Sequence, residues 1–413
     1  MRLLRIGICA LLAFAVLAHG GVEDWARTIF ESGAGLLLLS WALHTYFHRE
    51  ETLSIPPILP PLLVFGAVVF VQWLFRTTAA PFATRIEVLL FSADLILVFL
   101  AAQAFRTIED WRRFAWFLIV FGFFVSGFGI LQQLTFNGKL YWFREMTYGG
   151  IPFGPYVNRN HFAAFAELVV PLSLVPLILG KVRKERLVIV AIFAVIPLAA
   201  LFLSASRGGI ISVASEAVLL LILLAIRRSL GKHALAGAAV LVLAFALVSW
   251  IGVKQILSRF ASFQSLEVSE SKRASMRLGT WRIFVDHPVI GAGFGAFQTV
   301  YPPYETRYDG KIVNHAHNDY LEALAETGAL GGLCCVWFLG VLFIVSVKRI
   351  QSPSSPFAGV LHLAGLTGCF GLLVHSLVDF NLHIPANAFL FLLMALLATV
   401  RIPPPAPAAP ATA

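Results

Sequence analysis

Long apolar runs alternate with short polar connections along most of the chain. Each run is long enough, or nearly so, to cross a hydrocarbon core of about 30 Å as an α-helix. This pattern predicts an all-α polytopic membrane protein with about 12 transmembrane helices. The runs lie near residues 4–20, 33–47, 60–75, 86–104, 114–134, 162–180, 187–204, 208–226, 233–252, 319–347, 357–377 and 386–400.

The largest polar interruption follows the ninth run. Within it, Ser271 to Phe284 has Arg273 and Arg277 four residues apart, with Met276, Trp281 and Phe284 as apolar side chains, so we expect an amphipathic helix that lies against lipid or the helix bundle. The predicted organisation has five parts: N-terminal transmembrane helices (1–150), central transmembrane helices (151–252), a large extracytoplasmic loop (253–318), C-terminal transmembrane helices (319–401) and a disordered Pro/Ala tail (402–413).

Composition excludes a soluble protein. The mean hydropathy is +0.83, hydrophobic residues make up 59% of the chain and charged residues only 13%. The first run also resembles a signal peptide, but we expect it to be retained as the first of the spans. The four cysteines all fall in apolar runs, so no disulfide framework is predicted.

Basic residues predict the orientation. Sixteen of the 31 Lys and Arg residues lie at one set of helix ends, seven lie at the opposite ends, and the remainder lie in the long loop, which this rule discounts. The amino terminus and basic connections such as 181–186 are therefore expected in the cytoplasm. Because membrane topology and the loop largely account for the net charge of +9, no nucleic-acid partner is expected.

With this orientation, four polar clusters share the extracytoplasmic side. They are residues 156–161, 204–209, the long loop and 375–383, and the densest stretch is 314–322 at the end of the loop. One-sided placement favours a reaction site facing outward, because a transporter needs polar groups along a path through the membrane.

These clusters contain groups suited to pyrophosphate chemistry. Arg207 and Arg282 can hold a pyrophosphate and stabilise its developing charge, although anchoring to lipid headgroups is the alternative. His317 is the candidate base for an acceptor hydroxyl, and a hydrogen-bonded loop histidine is its alternative. The further candidate substrate-binding residues are Asn318, Arg159, His161, Arg277, His315, Asp379 and His383.

We expect no metal and no cofactor. Several histidines face the predicted site, but the chain has no His-Glu-x-x-His helix and no Asp-x-Asp pair to hold a divalent ion on a diphosphate. The glycines of 291–295 are expected in tight-turn packing, with a direct phosphate contact as the alternative. Glu322 and Glu326, four residues apart, either pair structurally or line a polar cavity.

One spacing resembles a known family. His317-Asn318 is followed by nine residues and then Gly328-Ala329-Leu330-Gly331, which resembles the pattern of the O-antigen ligase and polymerase superfamily of bacterial envelope enzymes. Ser206-Arg207-Gly208-Gly209, the loop with Arg282 and the Asn158–His161 segment extend the resemblance. The Thr-Tyr that often follows in the family is Gly332-Leu333 here.

The resemblance implies a twelve-span enzyme that takes a glycan from undecaprenyl pyrophosphate without a metal. By the same resemblance, Arg207 and Arg282 match pyrophosphate-binding arginines and His317 matches the proposed base. We therefore expect a glycosyltransferase of the bacterial inner membrane, active at the periplasmic face. Its expected partners are the undecaprenyl-pyrophosphate-linked glycan donor, a lipid A core or another glycan or protein acceptor, and the lipid bilayer.

Acceptor identity leaves several alternatives. An O-antigen ligase is the first choice, because the histidine-to-glycine spacing is that of the ligase pattern. An O-antigen or exopolysaccharide polymerase and a protein O-oligosaccharyltransferase use the same donor chemistry. A lipid-linked glycan transporter and a metal-dependent lipid pyrophosphate hydrolase are the alternatives from other classes.

Overall fold

All twelve apolar runs form helices. A computed structural model describes residues 1–48, 52–145, 151–226, 234–251 and 270–403. The helices that correspond to the runs are α1 (Arg2–Leu17), α2 (Asp24–Phe47), α3 (Leu59–Leu74), α4 (Pro81–Ala104), α5 (Ile108–Leu134), α6 (Arg159–Ile178), α7 (Leu187–Leu203), α8 (Arg207–Ile226), α9 (Ala234–Ile251), α11 (Asp319–Gln351), α12 (Pro356–His375) and α13 (Pro385–Thr399), and α10 (Glu270–Asp286) lies in the long loop.

Seven helical segments among the described residues are long and apolar enough to cross a membrane. They are α4, α5, α6, Lys184–Leu203 with α7, Arg207–Ala225 of α8, α11 and α12, whereas α3 and α13 are apolar but shorter. The expected all-α polytopic membrane fold is therefore confirmed. The number of about 12 spans stays a prediction, as do the boundaries of the five parts.

Some expectations fall on parts of the chain that the structure leaves undescribed. Residues 252–269 at the start of the long loop and the tail from 404 onward lie outside the described residues. The same holds for four of the basic residues used to predict the orientation: Arg49, Arg227, Arg228 and Lys232.

Polar residues begin several of the helices. Thr107 accepts a hydrogen bond from the Asp110 amide at the start of α5, and Asn158 and Asn318 cap α6 and α11 in the same way. Such caps satisfy amides that have no acceptor inside the helix. Polar residues that flank the apolar runs therefore define where the helices start.

The centre of the bundle is built around α6 and α12. In each of these helices, 83% of an 18-residue apolar segment is buried inside the protein. α12 packs against α6, α8 and α13. Close approach depends on glycine: a Cβ at Gly368 would lie 3.1 Å from the Leu168 backbone, and one at Gly365 would lie 2.9 Å from the Met394 carbonyl oxygen. The polar ends of these helices consequently lie next to each other.

The loop before α11 carries a small core of its own. The amphipathic helix expected over Ser271–Phe284 is present as α10, which packs against α11. Its buried residues Met276 and Ile283 pack in a cluster with Ala292, Phe297, Tyr301, Val313, Ala316 and Ala325. Since Ala325 belongs to α11, the described part of the loop folds onto the bundle.

A break in α11 holds this loop in place. Gly328 has a left-handed backbone with φ of 63°, which interrupts the helical hydrogen bonds. The carbonyls of Ala325 and Glu326 instead accept hydrogen bonds from the amides of Ala292 and Gly293, each at 2.9 Å. In the opposite direction, the amide of Ala329 in α11 donates to the Pro288 carbonyl of the loop at 2.8 Å.

The glycine-rich segment 291–295 is a tight turn against this break. Its amides donate to other protein atoms: Gly291 to His287, Gly293 to Glu326 and Phe294 to the side chain of Gln72. These amides are therefore already used, which favours the tight-turn expectation over a phosphate contact.

We expect Gly328→Ala to destabilise the protein strongly. A Cβ at this position would clash with the Val289 carbonyl and the Gly291 amide, and the left-handed backbone disfavours alanine. The free energy of unfolding should fall by about 1–3 kcal/mol. Thermal unfolding in detergent, followed by tryptophan fluorescence, measures this change.

Gly340→Ala is the matched control, because it lies in the same helix and a Cβ there would meet nothing within 4 Å. It should leave the unfolding temperature unchanged or raise it slightly. Equal unfolding temperatures for the two variants would contradict the role of the break.

Candidate active site

Five helix ends meet at one end of the bundle, called here the polar end: the starts of α6, α8, α11 and α13 and the end of α12. Asn160 of α6 donates to Asp379 at 2.5 Å. Asn387 of α13 donates to the His161 carbonyl at 3.0 Å, and the Asp319 amide donates to the Ser376 carbonyl at 3.0 Å. The separate clusters predicted from the sequence therefore converge.

His317 is held in an unusual backbone conformation. Its φ of 50° lies in the left-handed region, which residues other than glycine rarely adopt. The neighbouring Ala316 amide donates to Glu322 Oε2 at 2.6 Å. Strained backbone of this kind persists where the surroundings fix it, and it is frequent at active sites.

Asp379 orients the His317 ring. Its Oδ1 lies 3.1 Å from His317 Nδ1, and it also accepts from the Phe380 amide at 3.0 Å. Burial alone would raise the pKa of Asp379, but the hydrogen bond and charge of His317 lower this pKa below its ordinary value. The ionised carboxylate accepts a hydrogen bond from Nδ1–H, so Nε2 is directed away from Asp379 and carries the lone pair that a base needs whenever the ring is neutral.

A second network joins the start of α11 to His383. His315 Nδ1 lies 2.7 Å from Glu322 Oε1, and His383 Nδ1 lies 2.8 Å from Asp319 Oδ1. His383 Nε2 also lies 3.3 Å from Glu322 Oε1. Burial would lower the pKa of His383, but the two carboxylates raise it to about 10.

This network contains the groups best placed to hold a metal among the described residues. Ligand atoms of His315, Glu322 and His383 lie within 4.8 Å of one another. In the structure each of them has a protein hydrogen-bond partner. The expectation of a metal-free protein stays a prediction.

Phe380 packs three of the histidines. Its ring centre lies 4.4 Å from that of His315, 4.8 Å from that of His161 and 5.0 Å from that of His317. His161 is buried, and its Nε2 has no hydrogen-bond partner among the described residues. The Phe380 ring therefore holds these three histidine rings in place by packing alone, since it carries no charge.

Several predicted substrate contacts also serve the fold. Asn318 accepts from the Leu321 amide at 2.9 Å and donates to the Leu377 carbonyl at 2.8 Å, so it caps α11 and ties it to the segment after α12. Arg159 is buried and Arg277 is half-buried, and each makes contacts within the protein. Their contact with substrate stays a prediction.

Arg207 and Arg282 are both exposed and make no hydrogen bond or ion pair with the described residues. Arg207 begins α8, and the next residue, Gly208, packs against His375 and Val378. Since Asp379 follows Val378 in the chain, the start of α8 lies near the segment that carries Asp379. Arg282 is on α10, which packs against α11. That Arg207 and Arg282 bind the same pyrophosphate stays a prediction.

Sequence reasoning gave no role to a buried pair beside Arg207. His375 Nδ1 lies 2.8 Å from Glu167 Oε1, and Ser212 donates to Glu167 Oε2 at 2.9 Å. The available signal was the carboxylate of Glu167 within a span, which requires a partner. The partner, His375, is 208 positions away in the chain and could not be identified from one sequence.

An apolar cavity of about 530 Å³ adjoins the polar end. Its walls come from α3, α4, α11 and α13, and Asp319, His383 and Glu326 are among the polar residues that line it. Glu322 and Glu326 thus differ: Glu322 pairs with histidine, whereas Glu326 borders the cavity and accepts from the Phe297 amide at 2.9 Å. Structural pairing therefore holds for Glu322, whereas Glu326 borders a cavity that is mostly apolar and not the polar cavity that was the alternative.

Comparison with known proteins supports the resemblance seen in the sequence. Residues 168–336 match the family model described as O-antigen ligase, and this match supports the O-antigen ligase and polymerase superfamily. The matched range contains Arg207, Arg282 and His317. No curated protein matches the chain.

We expect Asp379→Asn to lower the free energy of unfolding by about 1–3 kcal/mol at neutral pH, because a buried, charge-assisted network is lost. The folded pKa of Asp379 is lowered, so its stabilisation is present above the unfolded pKa of about 3.9 and is lost as pH falls through the folded value. The difference from wild type should therefore persist down to about pH 4 and shrink below it.

Denaturant unfolding in detergent between pH 8 and pH 3 measures this dependence. Asp24→Asn makes the same change at an exposed position and should have little effect at any pH. A loss that shrinks already between pH 7 and pH 5 would contradict the lowered pKa.

Proposed function

We propose that the protein is a glycosyltransferase of the bacterial inner membrane that moves a glycan from undecaprenyl pyrophosphate to an acceptor hydroxyl at the periplasmic face. The observation that carries the proposal is the strained His317, oriented by buried Asp379 at the end of a membrane bundle where the exposed Arg207 begins α8. The match to the O-antigen ligase family supports a ligase or polymerase type of membrane glycosyltransferase.

His317 acts as the general base. Its Nε2 takes the proton from the acceptor hydroxyl while the oxygen forms a bond to the anomeric carbon of the glycan. The bond from that carbon to the pyrophosphate oxygen breaks, and undecaprenyl pyrophosphate leaves with the bonding electrons. Asp379 stabilises the imidazolium that forms, since its carboxylate stays ionised and accepts a hydrogen bond from Nδ1–H.

Arg207 and Arg282 supply the charge that the leaving group requires. A guanidinium forms two parallel hydrogen bonds with a phosphate and does not lose its proton. Because neither arginine has a protein partner among the described residues, both are available to an anion. With two such cations, the transfer needs no divalent metal.

The cavity beside α11 fits the lipid part of a substrate. It is mostly apolar, and its polar lining residues include Asp319 and His383 near the reaction site. A lipid-linked donor places its hydrocarbon in the bundle or bilayer and its sugar at the polar end. This arrangement matches a reaction at a membrane surface.

An O-antigen ligase that uses lipid A core as acceptor is our first choice. The spacing from His317 to Gly328 and Gly331 follows the ligase pattern, and the matching family model is described as O-antigen ligase. A polymerase and a protein O-oligosaccharyltransferase use the same donor and base with another hydroxyl.

His317→Ala should lower transfer by about 10²–10⁴-fold, the usual contribution of a general base. Arg207→Ala and Arg282→Ala should each lower it by about 10²–10³-fold, because charge on the leaving pyrophosphate is no longer stabilised. Transfer of a labelled glycan from undecaprenyl pyrophosphate by purified protein measures both effects.

His287→Ala and Arg307→Ala are matched controls, since both side chains are exposed in the same loop. They should retain wild-type rates, and EDTA should not slow the wild type. Near-normal transfer by folded His317→Ala would overturn the mechanism, and loss of activity in EDTA that is restored by a divalent ion would overturn the metal-free step.

The acceptor is identified by lipopolysaccharide electrophoresis of a deletion strain complemented with the wild type or with His317→Ala. A ligase predicts loss of the whole capped ladder while polymer accumulates on its lipid carrier. Core bearing a single repeat identifies a polymerase, and an unchanged gel excludes both lipopolysaccharide roles.

A further inference from the structure

The start of α8 is a surface of unsatisfied hydrogen-bond donors. Ser206 uses its hydroxyl and carbonyl for the amides of Gly209 and Ile210, at 3.2 and 3.0 Å. The amides of Arg207 and Gly208 have no acceptor among the described residues. The first amides of a helix carry partial positive charge and bind anions when no cap satisfies them.

A ring nitrogen of His375, on α12, lies against the same turn of α8. His375 at the end of α12 is 1% exposed, and its Nε2 has no hydrogen-bond partner among the described residues. The Cδ2–Nε2 edge of its ring lies against Gly208, where any side chain would clash with it. A buried polar atom without a partner is costly, so a ligand or water is expected to supply one.

Glu167 orients this histidine. It accepts from His375 Nδ1 at 2.8 Å and from the Ser212 hydroxyl at 2.9 Å. The ring nitrogen that does not face the carboxylate is Nε2, on the edge of the ring that lies against Gly208. When the imidazole is protonated, the N–H at this nitrogen is free to donate to an anion.

The Glu167–His375 pair explains why the two residues after Arg207 are glycines. Gly208 leaves room for the His375 ring. A Cβ at Gly209 would lie 2.7 Å from Ala163 and 3.2 Å from Glu167 Oε1. The sequence Arg-Gly-Gly therefore brings the first turn of α8, which begins with Arg207, against a buried carboxylate–histidine pair.

We propose that the first turn of α8, Arg207 and His375 together form the seat for one phosphate of the leaving pyrophosphate, and that Glu167 positions His375 for this role. The inference rests on the proposed function only in naming pyrophosphate as the anion. The phosphate oxygens accept from the two free amides and the guanidinium and supply the acceptor that His375 Nε2 lacks. His375 is thus a binding residue and Glu167 a positioning residue.

The experiment measures binding of inorganic pyrophosphate to the full-length protein in detergent by isothermal titration calorimetry, with no acceptor and no transfer. Arg207→Gln and His375→Gln should each weaken binding about tenfold or more, as expected for loss of a charge-assisted hydrogen bond. Glu167→Gln should weaken it in the same direction, because the neutral amide no longer favours the imidazolium.

His362→Gln is the matched control. His362 is also 1% exposed and lies on α12, but its Nδ1 lies 2.8 Å from the Leu397 carbonyl at the opposite end of the helix. This variant should bind pyrophosphate like the wild type. If His375→Gln does not fold, Glu167→Gln decides, because glutamine can still accept the Nδ1 hydrogen bond.

Each outcome separates the inference from the proposed function. Wild-type affinity in folded His375→Gln or Glu167→Gln, together with weak binding by Arg207→Gln, overturns the seat and leaves the arginine role intact. Unchanged binding by Arg207→Gln overturns both. Loss of binding in the His375 and Glu167 variants supports the seat even if the wild type transfers no glycan.

Discussion

Pairing of buried carboxylates with histidines is the constraint on which the polar end depends. Four histidines each pair with a different buried carboxylate among the described residues: His375 with Glu167, His383 with Asp319, His315 with Glu322 and His317 with Asp379. An unpaired carboxylate inside a membrane protein costs several kcal/mol, so each pair restricts where its helix can lie. Because the partners come from α6, α11, α12 and the segments beside them, satisfying the carboxylates draws the helix ends together. The same pairing orients the histidine rings, and the reactive geometry therefore comes from the condition that stabilises the fold.

The break at Gly328 extends this control to the loop. Free carbonyls of α11 accept backbone hydrogen bonds from 292–293, and the small core under α10 includes Ala316 beside His317. The loop therefore fixes the strained backbone of His317 from one side, while Asp379 fixes its ring from the other. The spacing of nine residues between Asn318 and Gly328 is the length of helix from the cap of α11 to the break. A spacing that looks like a motif is thus a structural requirement that joins His317 to the loop packed against α11.

Hydropathy alone predicted the twelve helices, because each one must bury or expose a continuous apolar surface. Local chemistry predicted α10 and identified His317 and Arg207 as candidates. The partners could not be predicted, since Asp379 is 62 residues from His317 and Glu167 is 208 from His375. A single sequence gives the need for a partner but does not identify it, because the partner is set by which helices pack together. For the same reason the dual roles of Asn318 and the different surroundings of Glu322 and Glu326 appear only in the fold.

The pairing also determines where an anion can bind. His315, His317, His375 and His383 each lie beside a carboxylate, so these four pairs offer little net charge to a phosphate. Uncompensated positive charge is found instead on Arg207 and Arg282, which have no partner among the described residues. Under the proposed function, the anionic donor binds at these arginines and His317 serves the acceptor hydroxyl. The proposal therefore assigns anion binding and proton transfer to different groups, and the histidine–carboxylate pairs hold the second group in place.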